Sequence, residues 1–92
     1  MKNYIINSFI LKDKNTLNDL YNYIKFRYNK TVNINDIKIE LTNLIKKNII
    51  FLDNNNYNLT NEGNIILNDN IYYYSRIIVN FFRKYSKIHK IY

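Results

Sequence analysis

The sequence contains no cysteine, proline, tryptophan or alanine, and only one glycine. Without cysteine there is no disulfide, no thiolate zinc ligand and no cysteine nucleophile. His89 is the only histidine, and one imidazole does not make a metal cluster. These absences remove the commonest reagents of catalysis. We therefore expect no catalytic residue, no metal site and no cofactor, and we find no small-molecule ligand evident in the pattern.

Long hydrophobic runs and linker-like segments are also missing. No stretch approaches the roughly 20 apolar residues that a membrane-spanning helix needs. The N-terminal region carries Lys2 but no uninterrupted apolar segment that ends in small residues, as a signal peptide would. No run of proline, glycine or serine provides a linker. We expect a soluble, intracellular protein without a membrane span.

The residues that are present are typical of a folded domain. The 92 residues are 47% hydrophobic and 16% aromatic, well above a disordered chain. A chain of this length builds one modest core, which a partner subunit would help to stabilise. Asparagine, isoleucine, lysine and tyrosine dominate, which indicates a coding sequence rich in A and T, as in some viruses, mobile elements or parasites.

The charge is strongly basic and unevenly placed. The net charge is +7, from 14 basic and seven acidic residues. Residues 71–92 contain five of the basic residues and none of the acidic ones. A polyanion is the natural partner of such a segment.

Apolar spacing predicts two helices in the first third of the chain. A short helix 1 presents Ile5, Ile6, Phe9 and Ile10 on one face. Residues 16–19, TLND, have the form of a capping box, so helix 2 starts there and runs to about Asn29. Its apolar side comprises Leu17, Leu20, Tyr21, Ile24 and Tyr28.

A third helix and a hairpin follow. Asn33 and Asp36 predict the helix start. Residues 49–52 and 57–60 predict two strands around a four-residue tip, 53–56. Residues 60–63 then cap a helical turn with Ile65, Ile66 and Leu67, and residues 68–70 predict a bend. The core side of helix 3 comprises Ile34, Ile37, Leu41, Leu44, Ile45 and Asn48.

Three helices followed directly by a hairpin are in the order of a winged helix-turn-helix. Residues 44–50, LIKKNII, and 57–63, YNLTNEG, resemble the end of the recognition helix and the second wing strand of MarR-like and PadR-like transcriptional regulators. The resemblance covers about residues 4–68. It implies a mainly α (α+β) fold with a β-hairpin wing. Within the motif we expect Tyr57 and Leu59 on the core face, Thr60 as a cap, and Gly63 at a close contact.

The outer face of helix 3 is the predicted DNA-reading surface, because an α-helix fits the major groove. Asparagine and threonine bind bases or phosphates, lysine binds phosphate, and Ile39 is placed to contact thymine methyl groups. Asp36 and Glu40 lie on or beside this face and oppose phosphate binding. The predicted contact residues are Asn35, Lys38, Ile39, Thr42, Asn43 and Lys46.

Two further contact regions are predicted. Lys25, Arg27 and Lys30 on helix 2 are expected to hold the DNA backbone, with a solvated charged face as the alternative. At the wing tip, Asn54 and Asn55 are expected to read A·T pairs in the minor groove. The tip departs from the family pattern because it carries no Arg or Lys, and a solvated turn is the alternative.

The C-terminal segment predicts a dimer. Its apolar residues step by three and four over three heptads, as in a coiled coil. We expect residues 1–70 to form the winged helix-turn-helix domain and residues 71–92 a long C-terminal dimerisation helix. A helix folded onto its own domain and a helix lying on an anionic membrane are the alternatives. The predicted dimer interface comprises Ile71, Tyr74, Ile78, Phe81, Tyr85, Ile88 and Tyr92.

These patterns predict a sequence-specific, DNA-binding transcriptional regulator that acts as a homodimer, and a repressor because so short a chain leaves no room for an activating domain. Its layout and size also resemble small winged-helix dimers of archaea and their viruses, including chromatin proteins of the Sso-ten-a type. The expected partners are double-stranded DNA and a second copy of the chain, in the cytoplasm and on the nucleoid. Non-specific chromatin or genome packaging and a protein-interaction module are the alternatives. An enzyme is not expected, because no nucleophile and base pair is visible.

Overall fold

The computed structural model describes residues 1–28, 31–73 and 75. Over these residues the chain is mainly helical with a small two-stranded antiparallel sheet, which confirms the α+β class. In chain order the elements are α1 (Lys2–Asn7), a 3-10 turn (Ser8–Ile10), α2 (Leu17–Tyr28), α3 (Ile34–Lys46), β1 (Ile50–Asp53), β2 (Asn56–Leu59) and α4, helical over residues 61–73.

Side-chain caps start α2 and α3 as predicted. At α2, the Asp19 backbone N–H donates to Thr16 Oγ1 at 3.2 Å, and the Thr16 N–H donates to Asp19 Oδ2 at 3.0 Å. This reciprocal pair is a capping box. At α3, the Asn35 N–H donates to Asn33 Oδ1 at 2.9 Å. Each bond satisfies an N–H group that the helix itself leaves unpaired.

The end of α3 differs from the prediction that placed Ile45 and Asn48 in the core. Ile45 is 41% exposed and Asn48 is exposed. Asn48 instead has a φ of 59° and ends the helix, with its N–H bonded to the Ile45 carbonyl and the Ile49 N–H bonded to the Leu44 carbonyl. This is a Schellman motif, which needs a left-handed residue after the helix. Asparagine adopts that conformation more readily than most residues.

The hairpin is tighter than its sequence suggested. Its register runs from Ile50 opposite Leu59 to Asp53 opposite Asn56, so the loop contains two residues rather than four. Asn54 and Asn55 have φ values of 49° and 66°. Two positive φ angles are the pattern of a type I′ turn, whose twist matches that of the strands.

A third segment joins the hairpin, and no sequence signal predicted it. The Asn15 N–H donates to the Tyr57 carbonyl at 3.1 Å, and the Tyr57 N–H donates to the Asn15 carbonyl at 2.7 Å. Asn15 directly precedes the α2 cap. The pairing therefore holds the hairpin beside the start of α2.

Helix α4 begins at the predicted cap and packs closely on the hairpin. Thr60 Oγ1 accepts from the Gly63 N–H at 3.1 Å and donates to the Asn48 carbonyl at 2.6 Å. Gly63 is buried, and a Cβ there would lie 2.9 Å from Leu59 Cδ2 and against the Ile49 carbonyl. The predicted need for glycine is confirmed, as is the contact of Tyr57 and Leu59 with the core.

The predicted bend at residues 68–70 is wrong, because the chain is helical there. Asn70 lies on the inner side of α4 and donates from Nδ2 to Asn7 Oδ1 at 2.9 Å. Asn70, which was predicted to belong to a bend, is thus a packing contact within a continuous helix. The helix crosses the predicted domain boundary at residue 70 without interruption.

The core contains one side of each helix together with Ile49 and Ile50 at the start of the hairpin. The prediction that Ile10 lies on the inner face of helix 1 is wrong, since the 3-10 turn leaves Ile10 51% exposed. Tyr28 stacks on Tyr4 of α1 with ring centroids 4.1 Å apart. The buried hydrophobic residues are Ile5, Ile6, Phe9, Leu20, Ile24, Ile37, Leu41, Leu44, Ile49, Ile50 and Leu67.

Some predictions fall outside the described residues. These are the end of helix 2 at Asn29, the contact residue Lys30, and every predicted interface position after Ile71. Within the described part of the chain, no helix has the length and apolar character to cross a membrane.

Candidate nucleic-acid interface

The outer surface of α3 is organised in rows along the helix. Asn35, Ile39, Thr42 and Lys46 follow one another at spacings of four, three and four, and all four are exposed. Residues at these spacings are neighbours on a helix surface. The buried residues Ile37, Leu41 and Leu44 hold the opposite side of α3 against the core. We call these four exposed residues the outer row.

The acidic residues of α3 lie beside the outer row and not within it. Asp36, Glu40 and the predicted contact residue Asn43 form a second row by the same spacing rule, and Lys38 lies toward the other edge. Asp36 is in the first turn of the helix, where a carboxylate is stabilised by the helix dipole. Asn43, which was predicted as a DNA-reading residue, thus lies in the row of Asp36 and Glu40 and not in the outer row.

An internal hydrogen bond determines whether the Thr42 hydroxyl donates to or accepts from a bound partner. Its Oγ1 donates to the Lys38 carbonyl at 3.0 Å. Because a hydroxyl has one proton, the oxygen is left as an acceptor for any bound partner. Within the described ranges, Lys38 and Lys46 form no ion pair and the Asn35 amide forms no side-chain hydrogen bond. These three polar groups are therefore open to a ligand.

The hairpin tip lies close to the first turn of α2. Asn54 and Asn55 are both exposed. Both also have a local structural reason to be asparagine, since the type I′ turn requires positive φ. A cleft of about 360 Å³ separates the tip from the start of α2, and it is lined by Thr16, Leu17, Asn18, Leu52, Asn55 and Tyr57.

The predicted basic cluster on α2 is not a single surface. Lys25 and Arg27 are two residues apart on a helix and so do not face the same way. Lys25 Nζ lies 5.8 Å from the Tyr21 ring centroid and 5.9 Å from that of Phe26. Arg27 lines a different groove, beside Leu11. Both lie in the last turn of α2, where cations stabilise the carbonyl end of a helix.

That groove is a feature sequence reasoning missed. Leu11 is 75% exposed and Phe26 is 77% exposed, the largest values among the apolar residues described. The only sequence signal was that Phe26 falls off the apolar side of helix 2. The groove has a volume of about 480 Å³ and is lined by Ser8, Leu11, Lys12, Asn15, Asp19, Asn22, Tyr23, Phe26 and Arg27.

Two titratable groups in the groove have shifted pKa values with structural causes. The Thr16 backbone N–H and then the Lys12 ammonium, 3.0 Å away, lower the pKa of the Asp19 carboxyl. Burial, with a hydrogen bond to Tyr28, raises the pKa of Tyr23 to about 12. The shift at Asp19 follows from the helix cap, and the shift at Tyr23 follows from packing. Among residues 1–28, 31–73 and 75, no three potential metal ligands lie together.

Comparison of the chain with protein-family models, with curated proteins and with solved structures gave no match.

Proposed function

We propose that this chain is a winged-helix DNA-binding protein whose α3 enters the major groove. The observation that carries the proposal is the outer row, which combines amide, hydroxyl and ammonium groups with one aliphatic side chain on the exposed side of a 13-residue helix. Helices have the diameter to fit the major groove. The hairpin follows α3 directly and is held in place by Asn15, in keeping with a wing.

The distribution of charge supports DNA as the partner. The net charge of +7 favours a polyanion, and Lys38 and Lys46 are available for phosphates at the edge and at the end of the outer row. Asp36 and Glu40 lie in the neighbouring row and repel phosphate there, so we expect the phosphate contacts at Lys38 and Lys46, away from that row. Charge thus supplies attraction, while the centre of the row supplies base contacts.

A sequence-specific regulator fits this surface better than a packaging protein. A packaging protein needs phosphate contacts alone, for which a row of lysine and arginine is sufficient. The outer row has Asn35, Ile39 and Thr42 ahead of its single lysine. Asparagine pairs with adenine through two hydrogen bonds, a contact that discriminates among bases. The regulator would act by occupying its site and blocking a promoter.

We further propose that the protein acts as a homodimer. Gly63 and Leu67 are buried on the inner side of α4, and Ile71, four residues on, is 40% exposed. The heptad pattern of residues 71–92 continues these spacings in the sequence. The domain therefore covers the start of the apolar stripe, and we expect a partner helix to cover the seam positions that follow in the sequence. Two reading helices related by a two-fold axis match a palindromic site.

Fluorescence-anisotropy titration tests the DNA proposal. The full chain is titrated with a random duplex and with an A·T-rich duplex pool at about 50 and 200 mM salt. We expect tight binding that weakens steeply as the salt concentration rises. Rounds of selection from the duplex pool should then enrich a palindromic sequence. In Lys46→Ala the salt slope should fall by about one, because one phosphate contact is lost. Binding that stays indifferent to sequence after selection would instead support packaging.

A protein-interaction module is the second candidate, and the groove beside Leu11 and Phe26 favours it. Two large apolar side chains that are about three-quarters exposed are more than isolated surface residues usually provide. The same titration separates the two functions. If no duplex binds at low salt, the DNA proposal is wrong and protein contact is the better account.

A further inference from the structure

Ile39 has the most exposed aliphatic side chain on α3, with 61% of its surface accessible. It occupies the middle of the outer row, between Asn35 and Thr42. The nearest positions around it on the helix also include Asp36 and Asn43. The apolar surface is therefore one side chain wide and enclosed by polar groups.

This arrangement suits a small apolar target within a polar surface. A protein partner normally buries a contiguous apolar patch of several side chains, which Ile39 and its neighbours do not provide. In the major groove, base edges are polar except at the C5-methyl group of thymine. A single aliphatic group flanked by hydrogen-bonding groups matches that edge.

Thr42 and the composition of α3 extend this argument. Because the Thr42 hydroxyl proton is bonded to the Lys38 carbonyl, the Thr42 oxygen only accepts hydrogen bonds from a bound partner. Arginine and lysine are the side chains that read guanine; α3 contains no arginine, and its lysines, Lys38 and Lys46, lie at the edge and the end of the outer row, where we assign them to phosphates. Asn35 complements adenine. The outer row is thus suited to A·T pairs.

We propose that Ile39 is a specificity-determining residue that reads thymine by packing on its C5-methyl group. The inference rests on the DNA-binding function proposed above. It assigns the source of base preference to one side chain and one methyl group. A·T preference would then arise from contact with the base and not only from the shape of A·T-rich DNA.

Deoxyuridine provides a direct test, because it lacks the methyl group but keeps every hydrogen-bonding group of thymidine. The full chain is titrated with one A·T-rich duplex, selected by the wild type, and with the same duplex carrying deoxyuridine at single thymidine positions. We expect affinity to fall about fourfold at each position where a methyl group is contacted, the effect of burying one such group. Positions outside the contact should show no change.

Two variants assign the effect to its side chain. Ile39→Ala should bind thymidine and deoxyuridine duplexes equally, at the weaker affinity. Ile65→Ala is the matched control, since Ile65 on α4 has the same exposure of 61% and lies off α3. It should keep the wild-type ratio. Circular dichroism checks that both exposed substitutions leave the fold intact.

The outcomes separate this inference from the function on which it rests. If wild-type protein binds both duplexes equally but with a steep salt dependence, DNA binding stands and methyl reading is wrong. If Ile39→Ala still distinguishes the duplexes, another residue reads the methyl group and the assignment is wrong. If no duplex binds at low salt, both proposals fail.

Discussion

The side-chain amide of Asn70 donates a hydrogen bond of 2.9 Å to Oδ1 of Asn7. Asn7 is 3% exposed, so its oxygen has almost no access to water. A second, longer bond of 3.4 Å joins the Asn70 amide to Asn3 Oδ1. These bonds connect the last described helix to the first one, across 63 and 67 positions of sequence. They add polar contacts to the apolar packing that holds α4 on the domain.

Replacement of Asn70 should therefore destabilise the domain. Asn70→Ala leaves Asn7 Oδ1 buried without its donor, which costs about 1–3 kcal/mol of unfolding free energy. Urea unfolding measures the change. Asn68→Ala, an exposed site on the same helix, is the control and should change stability by less than about 0.5 kcal/mol. Equal effects at the two sites would show that the amide bond contributes nothing specific.

Gly63→Ala should destabilise the protein although alanine is the better helix former. A Cβ at residue 63 would meet the Ile49 carbonyl and lie 2.9 Å from Leu59 Cδ2. The resulting shift of α4 should cost about 1–3 kcal/mol. Asn64→Ala, the exposed next residue, should be neutral or slightly stabilising in the same thermal unfolding assay. A more stable Gly63→Ala would mean that α4 packs less closely than described.

The capping box predicts a pH dependence at Asp19. Its pKa is lowered from 3.8 in the folded chain, so its contribution to stability is present above about pH 4 and is lost as pH falls through the folded value. Asp19→Asn should lower the unfolding free energy at pH 7 by about 0.2–1 kcal/mol, the range for an exposed ion pair. The difference should shrink at pH 2–3.

The matched control for Asp19 is Asp13→Asn, which makes the same change of charge at an exposed site. Urea unfolding of both variants at pH 7 and at pH 2.5 completes the comparison. A gap between Asp19→Asn and wild type that is constant with pH would show that the carboxylate charge is not the stabilising group.

At the hairpin tip, substitution by glycine distinguishes the role of Asn54 and Asn55 in the turn from their predicted role in DNA contact. The double variant Asn54→Gly, Asn55→Gly keeps positive φ at both positions and removes both amides. We expect an unchanged melting temperature and a loss of DNA affinity smaller than that of Thr42→Ala with Lys46→Ala. Anisotropy titration measures both pairs. Equal losses would mean that the wing tip, and not α3 alone, carries the main contact.

Substitutions on and off the apolar seam of residues 71–92 test the dimer that the heptad pattern predicts. Phe81→Lys with Tyr85→Lys places two charges on the apolar seam and should give monomers in analytical ultracentrifugation. Asn80→Lys with Ser86→Lys adds the same charge off the seam and should leave the dimer intact. A dimer that survives the first pair contradicts the heptad interpretation.

Local signals in the sequence predicted the local features well. The caps at Thr16, Asn33 and Thr60, and the need for glycine at residue 63, were all predicted and are present. Each depends on residues within a few positions of one another. Errors arose where polarity alone was used, at the exposed Ile10 and Ile45 and at the helical segment 68–70.

The sequence by itself determined where α2, α3 and α4 start, which sides of α2 and α3 are apolar, and that the charge favours a polyanion. Only the tertiary structure decided that Asn15 pairs with Tyr57, that Asn70 docks on Asn7, and that Leu11 and Phe26 share an open groove. The physical reason is range. Caps and periodicity act within one or two helical turns, whereas these contacts join segments whose meeting depends on how the whole core packs.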